Sequence, residues 1–145
     1  MTLSITDQTG PIVVTLAYLG LYYGFQVHQL RVKVRLQREY LERGEKFDRY
    51  FGQDREMLAA DRTQLNMLEH MPPLLVLLWL NAVFIGPRGA TIGGAIYVAA
   101  RALYPLMLGS RLGRSIRAQV LIATGLGYAV LVYFMGALIW ALLAG

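Results

Sequence analysis

Four long apolar stretches alternate with polar segments along the chain. They begin near positions 11, 57, 90 and 118, and each is about 20 residues or longer. A helix needs about 20 mostly apolar residues to cross the hydrocarbon core of a bilayer. The pattern therefore predicts an all-α integral membrane protein, a four-helix bundle with helices over about 11–36, 57–85, 90–109 and 118–143.

The polar segments and the overall composition fit one membrane domain over 1–145. A charged loop of about 37–56 follows the first helix, a Gly-Pro-Arg-Gly turn follows the second, and an acid-free basic connection over 110–117 follows the third. Hydrophobic residues make up 56% of the chain and charged residues only 16%, which is too apolar for an ordinary soluble domain.

The distribution of basic residues predicts the orientation. The net charge is +5, but the Lys and Arg residues are concentrated in loops one and three, on one side of a four-helix hairpin. By the positive-inside rule these loops are cytoplasmic and both termini lie outside. This clustering indicates topology rather than binding to nucleic acid. With no cysteine and two well-separated histidines, the sequence suggests no metal site.

Polar residues inside the second helix mark the candidate site. Arg62, Asn66 and Glu69 stand at i, i+4 and i+7, so a helix places them along one stripe. A charged group at the centre of a membrane helix costs about 2.5 to 3.5 kcal/mol on insertion scales, so such groups normally face a bundle interior or a cavity. Pro72 and Pro73 follow the stripe and predict a kink there.

The third helix carries Arg101 and Tyr104 one turn apart. Since helix two begins and helix three ends on the same side, Arg62 and Arg101 are expected at similar depth. Guanidinium groups bind carboxylates bidentately and Glu69 could bind an ammonium, so the cluster suits a zwitterionic ligand with carboxylates. An arginine or a tyrosine hydroxyl could also favour the thiolate of such a ligand. The alternative is a structural polar core, in which these charges pair with one another or with Asp61.

The spacing of these residues resembles the MAPEG family, the membrane-associated proteins of eicosanoid and glutathione metabolism. The resemblance rests on Arg-x3-Asn-x2-Glu with Pro73 four residues later, on Arg-x2-Tyr in the third helix, and on the two basic loops. It implies a homotrimer that binds glutathione, as co-substrate, between subunits. The positions that would contact glutathione are Arg35, Arg62, Asn66, Glu69, Arg101 and Tyr104.

The resemblance also implies catalytic roles. Arg117 lies about where the family places its thiol-activating arginine, with Arg114 as a near neighbour, and Tyr104 is the second catalytic candidate. Two positions depart from many catalytic members, since Leu65 replaces an arginine and Leu108 replaces a tyrosine. One branch of the family binds lipid without catalysis, so these departures leave that function open.

The sequence thus favours a glutathione transferase or peroxidase acting on lipophilic electrophiles or lipid hydroperoxides. Its expected partners are a second and third copy of the chain, membrane lipids and a hydrophobic electrophile, and its expected location is a bacterial inner membrane. The alternatives are a non-catalytic lipid-binding scaffold of the same fold and a small multidrug exporter. The arginines beside Glu69 disfavour the exporter, because they would repel a cationic substrate.

Overall fold

The structure, a computed structural model, describes residues 4–113 and 118–145. Its four helices are α1 (Thr9–Glu42), α2 (Arg55–Phe84), α3 (Pro87–Leu108) and α4 (Ala118–Ala144). All four are long and apolar enough to cross a membrane. The prediction of an all-helical chain with four membrane spans is therefore confirmed.

α1 is the longest helix because it continues beyond its apolar part. The charged residues after position 36 keep it helical to Glu42, and the side chains of Arg35 and Glu39 form an ion pair of 3.5 Å one turn apart. Such i, i+4 pairs support a helix in water. The chain leaves the helix at Gly44, whose φ of +70° is the left-handed conformation that glycine adopts at helix ends.

α2 begins at a well-formed N-cap and continues through both prolines. The Asp54 carboxylate accepts hydrogen bonds from the backbone N–H groups of Glu56 and Met57 at 2.9 and 3.1 Å, which satisfies two of the free donors of the first turn. Pro72 and Pro73 remove the usual donors to two carbonyls, yet the helix is unbroken from Arg55 to Phe84.

α2 and α3 form the centre of the bundle. α1 packs against both of them, and α4 packs against both from another side, while α1 and α4 do not touch within the described part of the chain. The core between them is apolar. Its largest fully buried side chains are Tyr18, Met67, Leu74, Leu78, Tyr97 and Phe134.

The loops after α1 and α3 lie at the same end of the bundle, which we call the basic end. There Arg55 Nε donates to the carbonyl oxygen of Leu112 at 2.6 Å, and the N–H of Leu112 donates to the carbonyl oxygen of Arg55 at 2.9 Å. These two hydrogen bonds fasten the start of the third loop to the first residue of α2.

Candidate functional site

The site is centred on Arg101, the largest fully buried side chain of the described residues, which is only 1% exposed. It projects from α3 toward α2. Its Nη1 donates a hydrogen bond to Oδ1 of Asn66, and its Nη2 lies 3.4 Å from Nδ1 of His70. Asn66 and His70 stand one turn apart on α2, so a single guanidinium joins the two central helices.

An aromatic ring and a glycine complete the surroundings of this guanidinium. Tyr97 precedes Arg101 by one turn of α3, and the guanidinium carbon lies 5.0 Å from the centroid of its ring, within cation–π range. Across the bundle, α4 presents Gly127, where an added Cβ would lie 2.6 Å from Nη2 of Arg101. A side chain at this position of α4 would displace the guanidinium.

The charge of Arg101 has no carboxylate close to it. Among residues 4–113 and 118–145, no Asp or Glu oxygen lies within 4.0 Å of its nitrogens, and Nε is buried without a hydrogen-bond partner. Burying a charge without a counter-charge is costly, so such groups usually have a partner or a ligand. The cluster therefore carries an uncompensated positive charge inside the bundle.

The predicted stripe on α2 divides into a buried and an exposed part. Asn66 is 7% exposed and faces Arg101, whereas Arg62 and Glu69 are exposed on the surface of the subunit. At about 100° per residue, Asn66 is rotated about 40° to 60° from the other two, which is enough to separate them. Arg62 and Glu69 form no ion pair within the described part of the chain.

The remaining candidates lie in three places. Tyr104 is buried one turn after Arg101 on α3. Arg35 is exposed near the end of α1, where it pairs with Glu39 and Glu56. Arg117, the candidate for thiol activation, lies outside the described residues, as does its neighbour Arg114. The structure therefore unites Asn66 and Arg101 directly, buries Tyr104 one turn further along α3, and leaves Arg62, Glu69 and Arg35 exposed on α2 and α1.

Asp61, considered as a partner for the buried charges, is engaged elsewhere. Its Oδ1 lies 2.9 Å from Nζ of Lys33 and accepts a hydrogen bond of 2.7 Å from Nε2 of Gln29. These contacts join α1 to α2 near the basic end and leave Arg101 without that carboxylate.

Two members of the cluster were not identified from the sequence. Tyr97 stands four residues before Arg101. This i, i+4 spacing places the two side chains on one face of α3 and could have predicted their contact. Gly127 lies in an uncharged helix with two other glycines, and no local pattern distinguishes it. The structure also places His70 against Arg101, and the ring centroid of His70 lies 5.1 Å from that of Tyr128.

Four apolar helices around a buried guanidinium define a multi-pass integral membrane protein with a polar site inside its bundle. The model of the MAPEG family matches residues 11–140, nearly the whole chain, and the protein belongs to that family. Comparison with curated proteins gave no significant match.

Proposed function

We propose that the protein is a membrane-bound glutathione transferase or glutathione-dependent peroxidase that acts on lipophilic electrophiles or lipid hydroperoxides. Membership of the MAPEG family supports glutathione as the co-substrate. The observation that carries the proposal is the uncompensated buried charge of Arg101, which binds Asn66 on the same helix whose exposed face carries Arg62 and Glu69. An anionic ligand at that face would supply the missing negative charge.

The charges of glutathione match the residues of this face. The tripeptide has two carboxylates and one ammonium group. The guanidinium of Arg62 is suited to a bidentate contact with a carboxylate, and the carboxylate of Glu69 is suited to the ammonium. Arg101 donates a hydrogen bond to the amide oxygen of Asn66. The amide N–H groups of Asn66 therefore stay available to donate to the ligand. Arg35 and Tyr104 complete the proposed contacts.

The proposed chemistry begins with the glutathione thiolate. Arg117 would stabilise its negative charge, and the Tyr104 hydroxyl would donate a hydrogen bond to it, since both interactions lower the pKa of a thiol. In the transferase reaction the sulfur forms a bond to an electrophilic carbon and the leaving group departs with its electron pair. A membrane location suits this chemistry because a lipophilic electrophile concentrates in the bilayer.

We further propose a homotrimer of single-domain subunits with the glutathione site between neighbours. Arg62 and Glu69 lie on the outside of the subunit although they belong to a membrane-spanning helix, and a neighbouring copy would cover them. The basic end would face the cytoplasm and both termini the outside, in a bacterial inner membrane. In this arrangement cytosolic glutathione reaches the site from the basic end.

The test is thermal unfolding of the detergent-purified protein with and without millimolar glutathione. A ligand that binds only the folded state raises its stability by roughly 2.7 kcal/mol at a hundredfold excess over Kd. We expect a higher midpoint for the wild type and loss of this shift in Arg62→Ala and Glu69→Gln. Conjugation of glutathione to a chlorinated dinitrobenzene, followed by absorbance, then measures turnover.

The matched control is Arg88→Ala, which removes an exposed arginine at the opposite end of the bundle. It should keep the full glutathione shift. If the wild type shows no shift, or if all three variants lose it equally, glutathione binding at this face is disproved.

One observation favours a second candidate, a lipid-binding scaffold without catalysis. Leu65 is 44% exposed on the turn between Arg62 and Glu69, so an apolar side chain interrupts the charged face. Stabilisation by glutathione without turnover, together with an Arg117→Ala variant that behaves as wild type, would support the scaffold over the enzyme.

A further inference from the structure

A polar cavity lies at the basic end, and Arg101 is not among the residues that line it. It has a volume of about 420 Å³, within the range of roughly 300 to 1,000 Å³ that small-molecule sites occupy. The end of α1, the beginning of α2 and the start of the third loop form its walls. Four arginines line it, namely Arg35, Arg43, Arg55 and Arg111.

The third wall of the cavity exists because of the contact between Arg55 and Leu112. The paired hydrogen bonds of 2.6 and 2.9 Å hold the backbone of Leu112 against the first turn of α2. Arg111, the preceding residue, is thereby held at the cavity beside Asp54. Two segments that are 57 residues apart in sequence thus contribute to one site.

The acidic side chains of the cavity are already occupied. Glu39 and Glu56 pair with Arg35. The Asp54 carboxylate caps α2 and also accepts a hydrogen bond of 3.0 Å from the hydroxyl of Tyr40. These carboxylates therefore form their close contacts with Arg35 and with the start of α2, while the charge of Arg111 acts on Asp54 only from a longer distance.

Arg111 is the basic group left free. In the part of the chain that the structure describes, no carboxylate oxygen lies within 4.0 Å of its guanidinium. Arg55 uses Nε for Leu112 and keeps its other N–H groups, while Arg43 pairs with Glu45 at the rim. The cavity thus offers donors from two unpaired guanidinium groups, and its lining carries four arginines and three carboxylates.

We propose that this cavity binds a phosphate group, either of an anionic lipid headgroup or of a soluble phosphate ester. A phosphate accepts several charge-assisted hydrogen bonds at once, which matches converging guanidinium groups better than a single carboxylate does. The cavity lies where membrane helices meet the charged loops, the level at which anionic headgroups concentrate and attract basic residues. Among the proposed glutathione contacts only Arg35 lines this cavity, where it is already paired with Glu39 and Glu56. The proposed phosphate site does not use Arg62, Glu69 or Arg101.

The test measures thermal unfolding in detergent micelles without glutathione. One arm adds phosphatidylglycerol, a second adds the zwitterionic lipid phosphatidylcholine, and a third adds millimolar glycerol 3-phosphate. We expect a shift with phosphatidylglycerol that is absent with phosphatidylcholine, because the choline ammonium group offsets the negative charge of the phosphate. A shift with glycerol 3-phosphate alone would identify a soluble ester as the ligand, and shifts with both would identify the phosphate itself.

The informative variant is Arg111→Gln, and its matched control is Arg38→Gln, which removes an exposed arginine of α1 that does not line the cavity. We expect the apparent Kd for the phosphate ligand to rise about fivefold in Arg111→Gln, as for loss of a strong exposed ion pair. Arg38→Gln should match the wild type, and Arg111→Lys should restore part of the affinity.

Three outcomes would overturn the proposal. The first is no shift with either phosphate compound. The second is an equal loss in Arg111→Gln and Arg38→Gln, which would reveal a general attraction between basic loops and anionic lipid. The third is displacement of the phosphate ligand by glutathione in the wild type, which would make the cavity part of the thiol site. None of these depends on whether Arg62→Ala alters glutathione binding.

Discussion

At the scale of single residues, the contact between Arg101 and Asn66 decides how the site is organised. The guanidinium is buried between helices, and its Asn66 acceptor is a neutral amide. Hydrogen bonds to charged groups contribute about 1.5 to 3 kcal/mol each, more than bonds between neutral groups. Removing the amide would leave a buried cation with still fewer partners.

We predict that Asn66→Ala lowers the free energy of unfolding by about 2 to 3 kcal/mol. The comparison is Asn81→Ala, which removes another buried amide from the same helix. The amide nitrogen of Asn81 donates to the neutral backbone oxygens of Leu77 and Phe134, so its loss should cost about 1 kcal/mol. Chemical denaturation in detergent measures both.

A double variant separates the charge from simple packing. When Arg101→Met is added to the Asn66→Ala variant, it removes the buried cation and should restore part of the lost stability. When Arg101→Met is made in the wild type, it should lower the stability. Equal effects in both backgrounds would mean that the two residues are not coupled.

The sequence identified the polar residues of this site but not their division between core and surface. A helical stripe of i, i+4 and i+7 is broad enough to include both Asn66, which turns inward, and Arg62, which turns outward. Their separation depends on where α3 lies, which periodicity in α2 does not encode. Arg101 was recognised as an intramembrane charge, yet its contact with His70 needed the relative position of two helices.

At the scale of helices, the N-cap of α2 connects stability to pH. Burial raises the pKa of Asp54, but hydrogen bonds from the N–H groups of Met57 and Glu56 and from the Tyr40 hydroxyl outweigh it and hold the pKa below its usual range. The folded pKa thus lies below the unfolded value of about 3.9. The charged cap stabilises the fold above that value, and the contribution is lost as the pH falls from about 4 through the lowered pKa.

We predict that Asp54→Asn is less stable than the wild type at pH 7 and that the difference disappears in acid below the folded pKa. Asparagine keeps the capping oxygen and removes only the charge. Asp54→Ala should cost about 1 kcal/mol at pH 7 because it removes the cap as well. Thermal unfolding across pH 3 to 7 tests both, and a difference that persists unchanged in acid would refute the assignment.

The contact between α3 and α4 supplies another prediction at this scale. An added Cβ at Gly127 would lie 2.6 Å from Nη2 of Arg101 and 3.3 Å from Cε2 of Tyr97, whereas at Gly125 it meets nothing within 4 Å. Arg101 is held by Asn66 and cannot simply turn aside. Gly127→Ala should therefore be about 1 to 3 kcal/mol less stable than Gly125→Ala, because overpacking is costly.

Gly127→Ala and Gly125→Ala increase the helix propensity equally. The difference between their unfolding midpoints therefore measures the packing of the added methyl group against Arg101. Equal stability would mean that α4 approaches Arg101 less closely than the structure indicates.

The sequence predicted four helices well because each membrane span needs a long apolar run. It could not predict this approach, since several glycines of α4 look alike in sequence.

At the scale of the whole molecule, the exposed charges of α2 require a cover. Arg62 and Glu69 lie on the surface of a helix that is apolar enough to span the membrane. Facing lipid would cost about 2.5 to 3.5 kcal/mol for a charge at the centre of the span. A face that carries both signs of charge is better suited to a protein neighbour, and the proposed trimer supplies one.

The absence of cysteine from the sequence makes this directly measurable with single spin labels. Leu65→Cys lies on the charged face of α2, and Leu126→Cys lies on α4. The two leucines are equally exposed in the subunit, at 44% and 45%. At about 1.5 Å of rise per residue they also lie at similar depths, about 15 and 12 Å from the starts of their helices.

We predict that in nanodiscs the label at Leu65 is shielded from dissolved oxygen and the label at Leu126 is not, as measured by electron paramagnetic resonance. The reason is that a second copy would exclude lipid, and the oxygen dissolved in it, from the α2 face. Light scattering on the labelled protein in detergent, corrected for bound detergent, should give the mass of three subunits. If both labels are equally accessible, the charged face contacts lipid, and a glutathione site shared between subunits is untenable because no neighbour would be close enough to form it.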